Sequence, residues 1–173
     1  MRTELVCIGT ELLLNKLNTN IAYIGEKLNS IGLQLSRATT VSDNQEEMIA
    51  TFKEVFSRTD VAILVGGLGP TFDDLTRQAV AKALNKKLVF KRELMHSIAR
   101  HFVERGFEMP EGNERQAYLI EGAIPIENKI GTAPGQIIEV RREKFIILLP
   151  GPPTELQQMF EQTVLPYLKT RCE

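Results

Sequence analysis

Histidine and cysteine are scarce in this chain, with two residues of each. His96 and His101 lie five apart on one expected helix, hence on different faces, and no Cys/His cluster is present to hold zinc. Cys7 sits in the first apolar run and Cys172 at the opposite end of the chain, which favours two reduced thiols over a disulfide. Excess charge of either sign is missing as well. Lys and Arg number 21 against 22 Asp and Glu, a formal net charge of -1, so there is no electrostatic reason to expect a nucleic-acid partner. No apolar run approaches the ~20 residues that span a bilayer. No repeat, low-complexity linker or secretory pattern is in view, and a strand-like run begins at once. The expectation is a cytoplasmic protein without a membrane or nucleic-acid partner, its 173 residues forming one domain over 1–173 with a substantial core.

What is present is an alternation of strand-like and helix-like patterns. Leu5-Val6-Cys7-Ile8 is an apolar run ended by Gly9. Thr19 can cap a helix carrying Ile21, Ile24, Leu28 and Ile31, with Gly32 as its stop. A strand is expected from Leu33 to Val41, and Asp43 or Asn44 can cap the next helix, whose one face holds Met48, Phe52, Val55 and Phe56. Val61–Val65 forms the third strand, and a helix starting near Asp73 follows it. This β-α-β-α-β-α order calls for an α/β fold with a parallel sheet between helical layers. Further on come a short strand at Leu88–Phe90, a helix over Glu93–Arg105, and a polar turn-rich section through Asn113–Ala117. A hairpin is expected from residues 136–140 and 145–149, then a terminal helix entered at Pro152 or Pro153 and kinked or ended at Pro166.

The segment from Gly66 to Thr76 carries the clearest chemistry. Glycines at a strand-to-helix turn let backbone approach a ligand, and the helix start offers free N–H groups to an anion. Asp73 and Asp74 beside them can cap the helix or carry a divalent cation that bridges to phosphate. In an open α/β sheet, ligands gather beyond the carboxyl ends of the strands. The segments Gly9-Thr10-Glu11, Ser42-Asp43-Asn44, Gly66–Thr76 and Pro150-Gly151-Pro152-Pro153 are therefore expected on one face.

These residues carry a resemblance. Gly9–Leu13, Thr19-Asn20, Asp43-Asn44, Gly66–Thr71 with Asp73, Asp74 and Thr76, Asn113 with Gln116-Ala117, Gly131-Thr132-Ala133-Pro134-Gly135 and Leu149–Pro153 together resemble the N-terminal domain of CinA (competence/damage-inducible) proteins. The resemblance runs from Gly9 to Glu155 with the motifs in the same order. It implies a three-layer α/β/α, MogA-like molybdopterin-binding fold with a mostly parallel sheet and an antiparallel hairpin, and a homo-oligomer. It also implies a metal-dependent pyrophosphatase acting on ADP-ribose or a similar nucleotide diphosphate. Relatives within the superfamily instead bind molybdopterin or adenylylate it.

On that reading Gly66, Gly67, Gly69, Pro70 and Thr71 hold the diphosphate, with Thr71 and Thr76 hydroxyls as further donors. Gly9, Thr10, Asn113, Gly131, Thr132, Pro134, Gly135 and Gly151 complete the substrate contacts. Asp43, Asp73 and Asp74 hold one divalent ion (magnesium, cobalt or manganese), Asp74 being central to catalysis, and Glu11 or Asp43 orients the attacking water. The chain departs from the family pattern at Asn15-Lys16, Ser42 and Phe72, the last at a position often occupied by lysine. A non-catalytic nucleotide- or pterin-binding module is the reading those departures favour. Nothing in these 173 residues supports the nicotinamide-mononucleotide deamidase activity of the further domain that many CinA proteins carry.

Overall fold

The structure, a computed structural model, describes residues 1–171. Its centre is a six-stranded sheet of β1 (Thr3–Ile8), β2 (Leu35–Val41), β3 (Val61–Val65), β6 (Ile124–Ile126), β7 (Gly135–Arg141) and β8 (Lys144–Leu149), in the spatial order β2-β1-β3-β8-β7-β6. The first four strands of that order run parallel; β7 is antiparallel to both of its neighbours. The strands β1 and β3 are buried along their whole length, as expected of parallel strands covered on both faces.

Alternation along each strand sorts its side chains into two cores. Leu5, Cys7, Ile63, Val65, Ile147 and Leu149 pack against α2 (Asn20–Asn29) and the terminal helices α6 (Pro153–Met159) and α7 (Leu165–Arg171). Val6, Ile8, Ala62, Leu64, Ile146 and Leu148 face α3 (Gln45–Arg58) and α4 (Thr76–Leu84). Each fully buried Leu, Ile or Val contributes about 1.5–3 kcal/mol of burial. The result is the three-layer α/β/α arrangement expected from the alternating pattern.

Local differences from the sequence expectations have identifiable causes. The strand expected from Leu33 begins at Leu35, because the Leu33 N–H donates to Leu28 O at 3.0 Å and closes the end of α2. No side-chain cap comes from Thr19; Asn18 Oδ1 instead accepts from Asn20 N. The helix after β3 starts at Thr76, not Asp73, since residues 71–74 close on themselves as a turn: Asp74 N donates to Thr71 O, and Thr71 N to Asp74 Oδ2. The five-residue α1 (Thr10–Leu14) is too short to show periodicity, and β5 (Tyr118–Ile120) and β6 are three residues each. A separate antiparallel pair, β4 (Leu88–Phe90) with β5, carries α5 (Arg92–Val103) beside the main sheet. Pro166 does not end the last helix. A π-helical turn over Phe160–Val164 precedes it, a local change of helix geometry of the kind that accommodates a proline ring, and helix continues to Arg171. Cys7 is buried and free, while Cys172 lies outside the described residues.

Candidate functional site

Because β1, β2, β3 and β8 are parallel, the loops after them open at one edge of the sheet, and the reversed β7 brings the loop before it to the same edge. There they enclose a cleft of about 670 Å³. Thirteen residues expected at the site line it: Gly9 and Glu11 from the first loop, Asp43 from the second, Gly66, Gly67, Gly69, Pro70, Thr71, Asp73 and Asp74 from the third, and Gly131, Thr132 and Gly151 from the segments flanking the hairpin.

The glycine loop is built around backbone that only glycine tolerates. Gly66 and Gly67 have φ of 107° and 66°. A Cβ on Gly66 would run into Ile8 O, and one on Gly67 into Thr76 Oγ1. The loop is tied down by Gly66 N donating to Leu149 O, Thr76 N to Gly67 O and Thr76 Oγ1 to Gly66 O at 2.8 Å. Among the described residues, no acceptor takes the N–H groups of Gly67, Leu68 or Gly69. Three successive amides of the loop are thus left without a protein acceptor, which an anion-binding turn requires.

Several expected contacts are not brought to the cleft. Thr76 is fully buried and its hydroxyl is committed to Gly66 O, so it supports the loop instead of donating to a ligand. Asn113 is buried and donates to Gln116 Oε1; Gln116 is the residue of that pair lining the cleft. Pro134 lines a smaller neighbouring cavity of about 170 Å³, while Gly135 is packed inside β7, where a Cβ would meet Leu148 O at 2.7 Å. Thr10 is exposed beside the cleft and bonded to Asp43. Phe72 is 82% exposed and does not line the cleft.

The carboxylates also differ from expectation. Asp73 and Asp74 come together on the Thr71 hydroxyl. Asp43 is held elsewhere: its Oδ2 accepts from Thr10 N, and the cap of α3 is Asn44, whose side chain accepts from Glu47 N. No three His, Cys, Asp or Glu side chains among the described residues form a metal-holding group, so the cage of Asp43, Asp73 and Asp74 is not assembled. The adjacent pair fits a different kind of site. A small hard cation such as magnesium commonly takes one or two carboxylates and completes its shell with ligand phosphates and water.

Several residues that shape the cleft fall outside the expected contacts: Asn18 and Asn128 stand singly in loops, and Asn20, read only as part of the Thr19-Asn20 motif, opens α2. Asn20 Nδ2 donates to Gly151 O at 2.9 Å and fixes the loop after β8. Asn20 Oδ1 is buried without a hydrogen-bond partner, the Asn18 side chain lies against the Cys7 thiol, and both asparagines line the cleft. Asn128 accepts from Ile130 N and Gly131 N and donates to Ala133 O and Glu155 Oε2, which organises the loop before β7. Cys7 also lines the cleft, and burial pushes its thiol pKa up, so it is protonated and unreactive.

Fold and cleft define the class, a three-layer domain of molybdopterin-binding topology, and residues 4–170 match the family described as "Probable molybdopterin binding domain". The CinA-like protein of Kosmotoga olearia is 48% identical over 169 residues, covering 97% of this chain and 41% of the relative. The CinA-like protein of Dictyoglomus turgidum is 48% identical over 171 residues, covering 98% and 41%. The crystal structure of CinA from Thermoplasma acidophilum superposes with a TM-score of 0.86 at 29% identity, covering 98% of this chain and 99% of that one. The molybdopterin biosynthesis enzyme MoaB of Thermus thermophilus shares the fold, with a TM-score of 0.62 at 18% identity over 98% and 94% of the two chains. The chain belongs to this molybdopterin-binding-domain family, and the CinA-like proteins are its similar relatives. It spans about two fifths of the length of these curated relatives. No helix among the described residues is long and apolar enough to cross a membrane.

Proposed function

We propose that the cleft binds a nucleotide diphosphate and hydrolyses its pyrophosphate link, with ADP-ribose as the substrate to test first. The observation that carries this reading is the placement of two carboxylates, Asp73 and Asp74, on the same loop as three acceptor-free amides. The amides of Gly67, Leu68 and Gly69 bind the phosphate oxygens. Asp73 and Asp74 hold a magnesium, manganese or cobalt ion, which supplies neutralising charge to the diphosphate and acidifies water. Glu11 and Asp43, on the neighbouring strand ends, are the carboxylates available to orient the attacking water. Asn20, whose Oδ1 has no partner in the protein, is the polar group nearest to hand for the organic part. A divalent cation, a nucleotide and water are thus the components of the reaction.

A panel of ADP-ribose, FAD, NADH and ATP, each with and without divalent metal, tests the reading, with Asp74→Asn as the control. Turnover of ADP-ribose by the unaltered chain that is lost in Asp74→Asn, at unchanged circular dichroism, is the expected result. Equal rates from both proteins would sink the assignment. A second reading is supported by the family itself and by the fold shared with MoaB: the cleft binds molybdopterin, with or without adenylylation, and hydrolyses nothing. Tight pterin binding with no hydrolysis across the panel would favour it.

A further inference from the structure

We propose that Arg77 is a positioning residue that aims the glycine loop and makes its floor electropositive, so that the site selects a ligand carrying phosphate or diphosphate charge. The inference rests on the phosphate-binding reading of the loop and does not require hydrolysis. Arg77 is 1% exposed and heads the fully buried side chains by size. Its guanidinium donates to Leu68 O at 2.7 Å and Gly69 O at 3.2 Å, two carbonyls of the glycine loop. Among the described residues it makes no ion pair. Carbonyls solvate a cation without neutralising it, and a buried charge lacking a counter-charge is strongly unfavourable.

Its position sharpens the point. Arg77 is the second residue of α4, where the helix dipole is already positive and a cation is disfavoured. Burial lowers its pKa to about 10; the charge of Asp74 opposes this and that of Arg115 adds to it. The group is therefore still charged at neutral pH. Arg77 thus lies under the loop that carries the three acceptor-free amides, with the charge of Asp74 partly offsetting its own and that of Arg115 adding to it, and an anionic ligand over those amides adds the further counter-charge that carbonyls cannot supply. The same contacts orient the loop. In a planar trans peptide the C=O and N–H point oppositely, so drawing Leu68 O onto Arg77 turns the Gly69 N–H away from it.

The test is calorimetric titration of the whole chain with inorganic pyrophosphate, free of metal, over a range of salt concentrations. It compares the unaltered chain with Arg77→Lys and Arg77→Met. Arg77→Met is expected to bind at least tenfold more weakly with a shallower salt dependence, whereas Arg77→Lys stays within threefold with the parent slope. A role as a mere strut would leave the salt slope unchanged. Binding by Arg77→Met within twofold of the parent overturns the inference, as does an equal loss in both variants. Should circular dichroism show Arg77→Met unfolded, Arg77→Lys decides alone: retention within threefold supports the inference and a tenfold loss refutes it. Failure of the unaltered chain to bind pyrophosphate removes the phosphate reading, and this inference with it. Parent binding that Arg77→Met preserves removes the inference alone.

Discussion

Thr10 and Asp43 are bonded in both directions across two loops: Thr10 N donates to Asp43 Oδ2 at 3.0 Å, and Asp43 N donates to Thr10 Oγ1 at 3.2 Å. The pair locks the loop after β1 to the loop after β2 at the edge of the cleft. Asp43→Asn keeps an acceptor for Thr10 N and removes only the charge. If Asp43 orients water, that variant loses about 100-fold in turnover with an unchanged melting temperature. Thr10→Val removes the hydroxyl that receives Asp43 N and is expected to lower stability by less than about 1 kcal/mol, since the pair is exposed. Steady-state kinetics alongside thermal melts separate the two effects, and full activity in Asp43→Asn would reduce Asp43 to a strut.

Gly67→Ala drives a methyl into Thr76 Oγ1 at a left-handed φ of 66°. The Thr76 hydroxyl must then leave Gly66 O or the loop must shift. Urea unfolding is expected to show a loss of about 1–3 kcal/mol, and pyrophosphate binding is expected to vanish. A variant that binds normally would mean that the loop conformation is not the one ligand requires.

Asn128→Ala removes four hydrogen bonds at once from the loop before β7. The expected loss is about 1–3 kcal/mol, together with faster hydrogen exchange at the Ile130 and Gly131 amides. Ligand affinity falls several-fold because Gly131 and Thr132 line the cleft. Unchanged exchange at those amides would contradict this account of the loop.

Glu4 is buried within β1 and receives a two-pronged hydrogen bond from Arg58, at 2.9 and 2.8 Å, with Arg2 as a second cation. The Arg58 hydrogen bond holds its carboxyl below the ordinary range, against the opposing pull of burial. A carboxyl depressed in the folded state binds its proton less tightly than in the unfolded chain. Its contribution to stability is therefore complete above the unfolded pKa and disappears as pH falls through the folded one. Chemical denaturation from pH 7 downward should show this loss in the parent, and a flatter profile in Glu4→Gln. Parallel profiles would exclude Glu4 as a source of the acid sensitivity.

The alternation of apolar runs and helical faces made the layered fold legible, because β3 and the Leu5–Ile8 stretch of β1 are apolar and α2 and α3 carry their core residues at helical spacing. The three-residue strands β5 and β6 were not legible. Each presents too few residues for a pattern, and Pro125 in β6 is tolerated there only because that strand is at the sheet edge. Within the site, the glycine loop announced itself, since residues 66 and 67 require glycine. The division of labour around it did not. Whether Thr76 meets a ligand or Gly66 O, whether Asp43 joins Asp73 and Asp74 or Thr10, and which amide of Asn113 and Gln116 reaches the cleft all depend on distances between loops remote in sequence. Arg77 reads locally as an ordinary helix residue; only the packing of α4 reveals its burial.

The insertion of β8 next to β3 sets an order of events during synthesis. Gly66 N is held by Leu149 O, so one tie of the loop that follows β3 cannot form until the last strand has been made. A nascent chain that has not yet reached Lys144 leaves one edge of the apolar β3 bare, an invitation to association with other chains. The tie of the glycine loop at Gly66 is therefore the one made to the last strand of the chain.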